Sequence, residues 1–160
     1  MTTLELSQPF VAPDYVDRFA LETATASFGD IDRFIRALAL NQPSWLTGVS
    51  MGIRDLDRVR SAVEAGPLEP GDAIGNWEIV QRCETSVTFA ENMGIMAYRI
   101  SYRWENEQRI VAETEVMQRS RVLGRLYWGL ATPLHKRFLT RMLHNAAGAH
   151  GSTVIEESAL

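Results

Sequence analysis

Residues 94–106, GIMAYRISYRWEN, constrain the fold more than any other stretch of the chain. Met96, Tyr98, Ile100, Tyr102 and Trp104 take the even positions, and Arg99, Ser101, Arg103 and Glu105 take the odd ones. Successive side chains on a strand point to opposite faces, so this pattern predicts a half-buried strand with one aromatic and one wet face. Glu105-Asn106-Glu107 reads as a short turn. Residues 108–119 then predict a partner strand, with Ile110, Ala112, Thr114 and Val116 on one side. Its other side holds Arg109, Glu113, Glu115 and Arg119, joined by Val111 and Met117. Upstream, Trp77 and Ile79 flank Glu78, and Val87 and Phe89 flank Thr88, which adds two shorter strands. The expected core is a meander of about four antiparallel strands.

Helical periodicity brackets this meander. Tyr15 to Leu21 reads as an edge strand. Asp30 is placed to cap a helix carrying Ile31, Phe34, Ile35 and Leu38, which Asn41-Gln42-Pro43 ends. Ser44 caps a second helix with Leu46, Val49, Ile53 and Leu56, weakened by Gly48 and Gly52. GPLEPGD, residues 66–72, is a turn-rich loop. After the strands comes LGRLYWGLATPLHKRFLTRML, residues 123–143, a long amphipathic helix interrupted by Pro133. At ~100° per residue, Leu123, Leu126, Tyr127, Leu130 and Leu134 share one sector, which is the expected buried stripe. Arg121 and Arg125 fall opposite, with Trp128 near them. The order argues for an α+β fold with the terminal helix on one face of the sheet. With 160 residues and 46% hydrophobic content, the chain fits one domain over residues 14–148. Residues 1–13 are expected to be loose and 149–160 a flexible tail.

Charge is unevenly spread. Between Val116 and Ile155 there are six basic residues (Arg119, Arg121, Arg125, Lys136, Arg137 and Arg141) and no acidic one. With a formal net charge of −4 overall, the rest of the chain therefore carries −10. That balance disfavours nucleic acid as a partner. Cys83 is the single cysteine, which fits a reducing compartment. The N-terminal residues carry no basic and apolar leader pattern, and no apolar run reaches the ~20 residues of a spanning helix, so a cytoplasmic location is expected. His135, His144 and His150 lack metal-ligand spacing, so neither a metal nor another cofactor is expected. No Gly-rich phosphate loop and no Ser-His-Asp order is present.

Leu123, Gly124, Arg125, Tyr127, Pro133, Leu134 and His135 form a pattern that resembles the C-terminal signature of the DUF2867 family, with Lys136 where an Arg is usual. Tyr15, Asp17 and Phe19, then Pro43, Trp45 and Arg54, resemble its N-terminal features in the same order. The family looks related to the helix-grip superfamily of Bet v 1-like and START-like (SRPBCC) domains. The resemblance implies a curved antiparallel sheet gripping a long C-terminal helix, in a version with few strands, and a pocket between the two. It also singles out Asp17 and Arg54, one of them expected as a buried charge that needs a partner.

Several side chains are candidates for that pocket. Met96, Tyr98, Tyr102 and Trp104 on the strand, with Tyr127 and Leu130 from the helix and Arg54, would take an apolar or aromatic small molecule and offer a few polar handles. The alternative for the aromatics is plain core packing. Tyr127 and His135 are the candidates for moving a proton, as in a cyclase- or aromatase-like enzyme on a polyketide-type substrate. His135 otherwise reads as a surface histidine on the basic flank. Glu113 and Glu115 beside Arg109 read as a solvated ladder. A third reading uses Arg121, Arg125 and an exposed Trp128 as a contact for an anionic membrane or a protein.

Overall fold

The computed structural model describes residues 6–23, 30–40, 68–74, 77–120, 122–148 and 152–157. The elements are β1 (Tyr15–Thr23), α1 (Ile31–Leu40), β2 (Ala73–Ile74), β3 (Trp77–Cys83), β4 (Ser86–Asn92), β5 (Met96–Asn106), β6 (Arg109–Gln118), α2 (Leu123–Ala146) and β7 (Ser152–Glu157). The seven strands of the described residues join one antiparallel sheet in the order β2-β3-β4-β5-β6-β1-β7. The sheet is curved, and its register slips between Ile79 and Gln81 and between Trp104 and Asn106. Such bulges bend a strand and increase its twist. The fold is α+β and helix-grip-like, with a fuller sheet than the four-stranded meander read from sequence.

The main core forms where the alternating strand faces meet the helices. Phe19, Leu21, Ile79, Phe89, Ile100, Tyr102 and Ile110 from the sheet pack against Phe34, Ile35 and Leu38 of α1 and Leu139, Met142 and Leu143 of α2. Asp30 caps α1 as predicted, its Oδ1 accepting the Arg33 backbone N–H at 2.7 Å. The helix expected to begin at Ser44 and its residues Trp45 and Arg54 lie outside the described residues. So do Arg121 and the side chain of Arg125.

Four features correct the sequence reading. β1 is interior rather than an edge, because it pairs with β6 on one side and β7 on the other. Residues 152–157 form β7 instead of a flexible tail. Part of the face read as wet is covered. Leu6 and Phe10 pack with Val80, Ala90 and Ala97 on the side of the sheet away from the helices, so residues 6–10 are docked rather than loose. Beneath them Arg99 is buried and its Nη1 donates to Glu115 Oε2 at 2.6 Å. The same oxygen accepts the Phe10 backbone N–H at 3.1 Å. Glu115 is thus a structural anchor and not part of a ladder with Arg109. Arg109 instead pairs with Glu22 at 2.7 Å, with Glu105 at 2.9 Å and with Glu157.

The fourth correction concerns α2. Its sheet-facing residues are Trp128, His135, Phe138, Leu139, Met142, Leu143 and Ala146, all buried except the half-buried His135. Leu123, Leu126, Tyr127, Leu130 and Leu134, the expected buried stripe, are exposed. The helix carries two apolar stripes, and the sheet took the one that continues without interruption to the C-terminal end.

Candidate functional site

The inner face of the sheet is largely apolar, and a polar line crosses it at β1 and β6. On β1 the inward positions are Tyr15, Asp17, Phe19 and Leu21, set opposite Val116, Thr114, Ala112 and Ile110 of β6. A carboxylate therefore sits in a row of core residues, and Asp17 retains only 4% of its accessible surface. A buried charge needs a partner or its desolvation is uncompensated. Two residues answer it. The Tyr15 hydroxyl donates to Asp17 Oδ2 at 2.9 Å. His135 Nε2, from the middle of α2, lies 3.2 Å from the same oxygen. The second contact is a close approach rather than a well-aligned hydrogen bond, since His135 Nε2 has no hydrogen-bond partner among the described residues.

Trp128 completes the group. Its ring meets Tyr15 edge-on at 5.0 Å between centroids and lies tilted against His135 at 5.4 Å. With Met96 and Val116 it forms a small apolar cluster that also touches Tyr98. Asp17 and His135 thus occupy a polar seam between this cluster and the main core. Pro133 lies in the same turn of α2, where it removes a backbone donor. Beside it the Thr132 hydroxyl donates to the Trp128 carbonyl at 2.6 Å.

Several polar atoms along the seam have no partner among the described residues: Asp17 Oδ1, Thr114 Oγ1, the Tyr102 hydroxyl, Trp128 Nε1 and His135 Nε2. Thr114 stands opposite Asp17 on one side and Ile100 on the other. Tyr102, opposite Ala112, is fully buried. Its phenol is pushed far above the ordinary tyrosine range, chiefly by burial and then by the negative charge of Asp17. Tyr15 is pushed up in the same way, by burial first and by Asp17 second. At neutral pH both phenols are therefore protonated donors. Each buried polar atom left without a partner costs about 1–3 kcal/mol, so the seam favours anything able to supply donors and acceptors together.

The sequence candidates divide around this seam. Met96, Tyr98 and Tyr102 lie on the inner face as predicted, and Trp104 packs half-buried against the main core. The Tyr98 hydroxyl is already engaged, donating to Glu91 Oε2 at 2.6 Å. Burial, then Glu91, raise its pKa well above the usual range. Tyr127 and Leu130 do not join them: they are 41% and 75% exposed on the far side of α2. Tyr127 therefore has no access to the inner face and no place in proton transfer there. His135, a candidate for moving a proton that otherwise reads as a surface residue, faces the sheet, and so does Trp128, which the contact reading needs exposed. Arg54 lies outside the described residues, so the partner found for Asp17 is His135. Thr114 was noted in the sequence only as a strand position. The signal for Asp17 was available in its register, since a carboxylate alternating with Tyr15, Phe19 and Leu21 has to point inward.

Among the described residues no group of three His, Cys, Asp or Glu side chains could hold a metal ion, and no helix is long and apolar enough to cross a membrane. No curated protein and no solved structure matches the chain. One family model does, described as a protein of unknown function, over residues 10–142. That span runs from Phe10 on the back of the sheet, through Asp17, to Met142 in the core, and takes in both halves of the Asp17–His135 pair. The chain belongs to the DUF2867 family.

Proposed function

We propose that this protein is a small-molecule-binding module that takes a hydrophobic or aromatic ligand between the sheet and α2. The ligand's polar end meets Asp17, His135, Thr114 and the Tyr102 hydroxyl, and its apolar body lies against Met96, Tyr98 and Trp128. One observation carries the reading: the unpartnered polar atoms along a single buried seam, with an apolar cluster on either side. Binding sites of this kind pair an apolar lining with a few placed polar groups. The resemblance to helix-grip domains supports the same location.

Native mass spectrometry of gently purified protein, with extraction of anything bound, is the test. A co-purifying hydrophobic molecule is the expected result, with occupancy reduced in Asp17→Asn and Thr114→Val. The contrary result is an empty protein that gains stability in both Thr114→Val and Tyr102→Phe. That outcome would mean the seam is core with surplus polar atoms, because removing an unused buried hydroxyl is then favourable.

The Asp17–His135 pair favours a second reading, a cyclase- or aromatase-like enzyme. A carboxylate that holds an imidazole beside two protonated phenols is suited to shuttling a proton on a polyketide-type substrate. A ligand recovered unchanged after incubation with the protein, at a rate unaffected by His135→Asn, would leave binding alone.

A further inference from the structure

Once α2 has given one stripe to the sheet, its second stripe is left facing outward. Leu123, Leu126, Tyr127, Leu130 and Leu134 recur at the three- and four-residue spacing of one helical ridge, and all five are exposed. Farther along the same ridge stand Arg137 and Arg141, also exposed and without an acidic partner among the described residues. Lys136, toward the flank, is held by Glu156. The whole stretch from Val116 to Ile155 lacks Asp and Glu while the rest of the chain is strongly acidic.

We propose that this ridge docks on an anionic lipid surface, with Leu126, Leu130 and Leu134 entering the headgroup boundary and Arg137 and Arg141 engaging the lipid phosphates. The pattern of leucines and an interfacial tyrosine on one side of a helix, continued by arginines, is that of a helix lying in the plane of a membrane. The charge asymmetry turns the basic ridge toward an anionic surface and the acidic remainder away from it. A second copy of this chain fits poorly. Two ridges packed antiparallel about Leu130 would set Arg137 of each copy beside Leu123 of the other and carry Arg141 past the partner's helix start, with no acidic residue on either ridge to receive them.

The experiment is co-sedimentation of the full chain with phosphatidylcholine vesicles, with and without phosphatidylglycerol, at low and high salt. The expected result is binding to the anionic vesicles alone, weakened by salt and abolished in Leu126→Gln/Leu130→Gln. Arg137→Gln and Arg141→Gln should each weaken it roughly fivefold at low salt. Circular dichroism confirms that the variants stay folded, which surface substitutions on an existing helix permit. No binding at low salt overturns the proposal. So does binding that the leucine variants leave unchanged, which would reduce it to unspecific charge attraction. Concentration-dependent self-association abolished by the leucine variants, without vesicle binding, would assign the ridge to a second copy.

Discussion

Asp17 is the residue on which the most neighbours depend. Its charge reaches Tyr15 and Tyr102, and both phenols are raised partly by it. Asp17→Asn removes that charge and leaves the burial. Both tyrosines should then ionise at lower pH than in the parent protein, with Tyr102 still above the ordinary range because burial is its larger cause. Tyrosinate absorbance against pH, compared between the two proteins, measures this. Two glycines of α2 make a second contrast. Gly129 has open space where a Cβ would go, so Gly129→Ala should gain roughly 0.5–1 kcal/mol of helix propensity. At Gly124 an added Cβ would stand 3.0 Å from Gln118 Cβ, an atom fixed at the end of β6. Gly124→Ala should therefore forfeit that gain and lower the melting temperature, while Gly129→Ala raises it.

Among the elements, the buried pair behind the sheet is the most exacting. Arg99 has Glu115 as its counter-charge, and the same carboxylate tethers residue 10. Breaking such a pair from one side costs about 3–5 kcal/mol, whereas replacing both partners with apolar side chains of similar size costs far less. Glu115→Gln should be strongly destabilising in chemical denaturation, and Arg99→Met/Glu115→Leu much less so. A larger loss in the double variant, which alone removes the acceptor for the Phe10 N–H, would show that the tether rather than the charge is what matters. This pair also marks where sequence reading fails. The strands were legible because period two is a local property, and Tyr98, Ile100 and Tyr102 face the core as the alternation requires. Arg99 looked solvated because what covers it comes from residues 6–10, far away in the chain. α2 was legible as a helix but not in its phase: two apolar stripes compete, and only the shape of the sheet chooses between them. The same ambiguity hid His135, whose partner is on the first strand. The resemblance pointed at Asp17 and at His135 separately, and only the fold brings them together.

For the whole molecule, three tyrosines held protonated by burial make stability depend on pH at the alkaline end. Tyr15, Tyr98 and Tyr102 all have folded-state pKa values above that of the unfolded chain. Their contribution is fully present below the unfolded value of about 10 and is lost as pH rises beyond it. Unfolding free energy should therefore fall steadily from about pH 10 upward, with a proton released per tyrosine on unfolding. Denaturant titrations across that range check the slope, and Tyr102→Phe should flatten it.

The order of the sheet also has a consequence in time. Of the described strands β1 is made first, yet its two neighbours, β6 and β7, are made last. Tyr15 must wait for Val116, and Arg18 for Glu157. Strands β2 to β6 can zip as a meander while synthesis continues, because each pairs with the next. β1 is meanwhile made, unpaired and open to wrong partners, with its inward carboxylate still in water. Its capture closes the longest loop among the described strands, the kind of event that slows folding most. The nascent protein therefore spends most of its synthesis with the Asp17 half of the site adrift, and the seam with His135 is among the last features to be assembled.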